Sequence, residues 1–176
     1  MLEIIKKYKA AFYFILRFFI VYILLIVLYN QYLNSYENTP DGATAIVADQ
    51  TVGFVNFFKY PAESKIVPNE DFVRFYVNGN YVLRIIEGCN GLSIYILFTA
   101  FVFAFKGRLK HTVLFVLAGV LLLYITNIIR VGILAVWLYK FPGEGEIMHQ
   151  IIFPVLIYGM VFLLWVLWVN KFAIKK

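Results

Sequence analysis

Three residues carry reactive groups in places where this chain has few polar residues. Cys89, the sole cysteine, lies in Glu87-Gly88-Cys89-Asn90-Gly91-Leu92-Ser93. Gly88 and Gly91 let backbone approach it closely from both sides. A helix N-terminus favours an anion, and the thiolate is the nucleophilic form of the side chain. Arg130 lies inside an apolar run, where insertion of a charge costs at least ~2.5–3.5 kcal/mol. Asn127, three residues earlier, falls on the same helical face. His149 opens the last apolar run. A thiol, an imidazole and a guanidinium together fit nucleophilic acyl transfer. The thiolate attacks a carbonyl. The imidazole passes a proton to the leaving amine. The guanidinium stabilises the oxyanion.

Each residue also has a plainer reading. A free cysteine is usually inert and buried, an arginine can snorkel to the interface, and an interfacial histidine is commonly solvated. One cysteine forms no internal disulfide. One Cys and one His are a poor ligand set, so no metal is expected. Phosphate-loop and dinucleotide motifs are absent, so no cofactor is expected either.

The elements that must position these groups are membrane helices. The chain is 62% hydrophobic with a mean hydropathy of +0.80, against about 45–50% apolar residues in soluble domains. The whole chain, 1–176, reads as a single membrane domain with spans near 11–29, 90–105, 112–139 and 150–169. The first run is too long for the apolar core of a cleavable signal. The third has 28 residues, ~42 Å of helix against a ~30 Å hydrocarbon core. It either projects beyond the bilayer or breaks near Thr126. The region 30–87 is polar. Within it Asp49 to Tyr60 predicts an amphipathic helix lying in the interface, with Asp49 as its cap. Phe72–Val77 and Tyr81–Ile86 flank Asn78-Gly79-Asn80, a strong hairpin signal. The predicted fold is all-α: about four transmembrane helices with a small extracytoplasmic cap containing a β-hairpin.

The net charge of +6 does not point to nucleic acid, because the basic residues cluster beside the ends of the apolar runs. Lys6, Lys7, Lys9, Arg17, Lys106, Arg108, Lys110, Lys171, Lys175 and Lys176 share the termini and the 106–111 loop with one acid, Glu3. The other acids lie in 30–87 and 140–148. The positive-inside bias predicts cytoplasmic termini and puts those two regions outside. Cys89, Arg130 and His149 then share the outer side. Arg130 is 18 residues beyond Thr112, ~27 Å along a helix that starts inside. His111 falls on the inner side, away from them. Rival readings are a non-catalytic membrane scaffold with Arg130 as an inter-helix clamp, and a lipid-handling enzyme whose Arg130 binds phosphate. The second leaves Cys89 without a role.

At these residues the chain resembles the exosortase/archaeosortase family of membrane transpeptidases, most closely its short exosortase F subtype. Glu87 to Ser93 is similar to the family's Cys-x-Gly block. Thr126-Asn127-Ile128-Ile129-Arg130-Val131 is similar to its Asn-x-x-Arg block, and His149 to its third block. The resemblance covers about residues 70–170. It implies catalytic Cys89, Arg130 and His149, supported by Asn127, Gly88, Asn90 and Gly91. It also implies an enzyme of the bacterial cytoplasmic membrane with its active site facing outward. The expected partners are the lipid bilayer and membrane-anchored proteins with a C-terminal sorting signal. Such a signal is a motif, one membrane helix and a basic tail, and its new carboxyl end passes to an acceptor.

Overall fold

The computed structural model describes residues 8–105, 107–143, 145, 148 and 152–173. In chain order these form α1 (Lys9–Leu33), α2 (Gly42–Phe57), β1 (Ala62–Ile66), β2 (Val73–Val77) and β3 (Asn80–Ile85). A single 3₁₀ turn (Glu87–Cys89) leads to α3 (Leu92–Ala104), α4 (Leu109–Lys140) and α5 (Phe153–Trp168).

Three helical stretches, Lys9–Leu33, Leu109–Lys140 and Pro154–Lys171, are long and apolar enough to cross a membrane. They present rows of exposed Leu, Ile and Phe such as Phe12, Ile20, Leu24, Leu117, Leu121 and Phe162, as lipid-facing surfaces do. The span expected at 90–105 is shorter. α3 has 13 residues, ~20 Å, which falls short of a ~30 Å core. Gly91 in a left-handed conformation starts it, and Phe105 in an extended conformation stops it. The run expected at 112–139 is one unbroken helix of 32 residues, ~48 Å, longer than a ~30 Å hydrocarbon core. Thr126 bonds back to the Leu122 carbonyl at 2.8 Å and does not interrupt it.

The cap is a three-stranded antiparallel sheet of order β1-β2-β3 with α2 beside it. Asn78 and Gly79 turn the hairpin with φ of 50° and 76°. The ladder slips between Phe75 and Tyr76, where Tyr81 and Leu83 face them and Val82 is the extra residue. Such a bulge bends its strand. Val73, Phe75, Val77 and Ile85 pack with Val55 of α2 and Val131 and Ala135 of α4.

The helix expected at 49–60 begins earlier. Its cap is Asp41, whose side chain accepts from the Thr44 amide, and not Asp49. α2 buries Thr44, Val47, Ala48, Thr51 and Val55, leaning on α4 and β1. A Cβ on Gly132 of α4 would strike the Phe54 ring, so the absence of a side chain there lets α2 seat. The helix is therefore docked on protein, with Phe57 and Phe58 still exposed. A second core joins the spans, built from Tyr95, Phe98 and Val102 of α3, Leu123 of α4, and Val161 and Leu164 of α5.

Candidate active site

Cys89 sits at the seam between the two cores. It ends the 3₁₀ turn, four positions after Ile85 and two before Gly91. The turn closes when the Cys89 amide donates to the Ile86 carbonyl at 2.8 Å and the Asn90 amide to Glu87 at 3.1 Å. Gly91 then reverses the chain with φ 83°, a region that other residues enter at a cost. A Cβ there would also stand 2.5 Å from the Tyr95 hydroxyl oxygen. The cysteine thus precedes the helix N-terminus and is not its first residue. Its side chain is half-buried against the cap core.

Buried polar side chains fix this segment from both sides. Asn127 of α4 is fully buried and donates its amide to the Cys89 carbonyl at 2.8 Å. Asn90, also buried, accepts from the Leu92 amide at 2.8 Å and so restrains the start of α3. The Asn90 amide donates to the Thr44 hydroxyl at 3.2 Å, and Thr44 donates to the Asp41 carboxylate. Tyr32 donates to Asp41 at 3.3 Å and accepts from the Ala43 amide. Tyr95 donates to the Asn90 carbonyl at 3.3 Å. Buried networks of this kind rigidify when every member is satisfied.

Arg130 lies one helical turn beyond Asn127. It lines a cavity of about 670 Å³ together with Cys89, Gly88, Val131 and Leu134. The guanidinium is within electrostatic range of the Cys89 sulfur and the Tyr95 hydroxyl. The remaining walls are β3 and its continuation, Tyr81 to Ile86, with Leu138, Gly145 and Pro154. His149 lies outside the described residues. His111 is exposed in the first turn of α4, at the other end of that helix. A larger cavity of about 910 Å³ opens between α1 and α3 beside Lys9, Phe14, Arg17 and Phe105, and it holds none of the candidate groups. Among the described residues no cluster of three His, Cys, Asp or Glu side chains could hold a metal.

The transmembrane exosortase profile (Exosortase_EpsH) matches residues 8–169, from the start of α1 to the end of α5. The chain belongs to the transmembrane exosortase family. No curated protein and no solved structure matches it. In this exosortase the match takes in Cys89, Asn127, Arg130 and His149, and also Asp41 and Thr44.

Those last two, with Tyr32 and Tyr95, escape a search for reactive residues because their hydrogen bonds hold backbone and other polar side chains in place. Asp41-Gly42-Ala43-Thr44 does carry a readable signal. A carboxylate three residues before a threonine, ahead of an apolar stretch, is a helix cap.

Proposed function

We propose that this exosortase is a cysteine-dependent transpeptidase of the bacterial cytoplasmic membrane. It cleaves a C-terminal sorting signal at the outer face and passes the new C-terminus to an acceptor. The observation that carries the reading is that the only thiol and the only guanidinium of α4 line the same cavity. A scaffold would need Arg130 packed between helices, whereas here it lines a cavity beside the Cys89 thiol.

In this mechanism the Cys89 thiolate attacks the scissile carbonyl and forms a tetrahedral oxyanion. Arg130 donates to that oxygen, where the charge develops. The amine leaves with a proton delivered by His149, and the carbonyl remains as a thioester on Cys89. An acceptor nucleophile then takes the acyl group, loses its proton to His149 and frees the thiol. Asn127, Asn90 and Gly91 hold the Cys89 segment in place, and Gly88 lines the cavity beside the thiol. A basic tail held inside by the membrane leaves the substrate's motif outside, beside Cys89.

The reading is tested with purified Cys89→Ala and Cys89→Ser proteins. Both should fold in the membrane and leave the substrate uncut. Normal cleavage by Cys89→Ala would end the transpeptidase reading.

A further inference from the structure

The strand order β1-β2-β3 leaves β3 paired on one side only. Among the described residues nothing hydrogen-bonds to its other edge. An unpaired edge is a template for a further strand. Here the edge borders the nucleophile. Tyr81 to Ile86, six consecutive residues, line the cavity that holds Cys89 and Arg130. Side chains alternate between the faces of a strand, so a cavity against one face would meet every second residue. A cavity that meets each residue in turn runs along the backbone edge.

A second cavity of about 380 Å³ continues the first toward the hairpin. It shares Tyr81, Val82 and Leu138 and adds Asn80 and Pro142. Together they form a groove as long as β3, ~20 Å for six residues. α4, which packs against β3, adds one stripe to the lining of this groove. Leu138 and Leu134 stand at i,i+4 spacing above Arg130, with Arg130 at the Cys89 end.

We propose that the residues preceding the scissile bond of the substrate add to the free edge of β3 as a fourth strand. This rests on the transpeptidase reading above. The occupant is an extended peptide of about six residues, the length of β3. Its alternate side chains meet Leu134 and Leu138. It runs parallel to β3, because both chains lead from the hairpin end toward Cys89 and then into the membrane. Main-chain hydrogen bonds supply binding and the alternate pockets supply choice, as in other cases of strand addition. The strand thereby aims its last carbonyl at the thiol, whose distance from β3 is set by the Glu87–Cys89 turn.

The test uses the full-length protein in lipid nanodiscs and a synthetic peptide that spans the scissile bond, its acyl side copied from the segment recovered as a thioester on Cys89. A series of these peptides each carries one N-methylated backbone amide. Strand addition predicts a period of two: every second N-methyl group lowers kcat/KM by about fivefold or more, the loss of one hydrogen bond. The intervening positions stay near the parent peptide. A flat profile, or loss confined to a single position, overturns strand addition while the thioester on Cys89 leaves the transpeptidase reading standing. Failure to recover any thioester on Cys89 from a protein that turns over overturns both.

Discussion

Asn127→Ala isolates the role of backbone placement from that of the reacting groups. Asn127 is 1% exposed and its amide reaches the Cys89 carbonyl at 2.8 Å. Truncation removes the donor and leaves the carbonyl of the half-buried Cys89 without this partner. The net loss for such a bond is about 1 kcal/mol, rising to about 1–3 kcal/mol when the acceptor stays buried and unpaired. Polar contacts between membrane helices measure at the lower end, about 0.6 kcal/mol. The fold, which rests on the two apolar cores, should therefore survive. Activity should fall further than stability. A reacting group displaced by ~1 Å can lose about a hundredfold in rate, and here the tether released is the residue that bears the thiol. The expected outcome is a melting temperature a few degrees lower and processing reduced about ten- to a hundredfold. Asn127→Asp should be as poor, because a carboxylate offers no donor to a carbonyl. The assay pairs thermal melting in nanodiscs with the rate of substrate cleavage. Processing within twofold of wild type in a folded Asn127→Ala protein would refute the claim that this bond positions the cysteine.

The other expectations are direct. Gly91→Ala introduces a Cβ at φ 83° and 2.5 Å from the Tyr95 hydroxyl oxygen. It should lower the melting temperature and abolish processing, while Gly159→Ala, which meets nothing within 4 Å, should change neither. Arg130→Lys should fail although charge is retained, since an ammonium lacks the planar fork of donors. A wild-type cleavage rate for Arg130→Lys would remove the oxyanion role. In a Cys89→Ala background, Asn78→Cys should react with an impermeant maleimide on intact cells. Labelling only after permeabilisation would invert the topology.

The helical spans and the hairpin were legible because each leaves a long or loud signal. Runs of apolar residues mark α1, α4 and α5, and Asn78-Gly79 marks the turn. β1 was not legible. Ala62-Glu63-Ser64-Lys65-Ile66 has one β-branched residue, follows Pro61 and is half exposed. It is a strand because β2 offers it a ladder, which is a tertiary cause. The start of α2 is fixed by Asp41 and Thr44, eight residues ahead of the Asp49 cap that the sequence suggests. α3 fills the expected run except for its ends, where the backbone conformations of Gly91 and Phe105 bound the helix. At the site, Cys89, Asn127 and Arg130 stood out as polar residues in apolar company. The Asp41–Thr44–Asn90 chain did not, since Asn90 lies 46 residues from Thr44 in sequence and only the docking of α2 joins them. The open edge of β3 is likewise invisible until strand order is known.

The central claim is that Cys89 carries the acyl group between substrate and acceptor. The most direct measurement is the intact mass of the wild-type protein quenched in acid during turnover, followed by peptide mapping. The account predicts an added mass on Cys89 that hydroxylamine releases, as it does thioesters, and that a Cys89→Ala protein never acquires. Turnover at the normal rate with Cys89 unmodified throughout, or with the adduct on another residue, would contradict it.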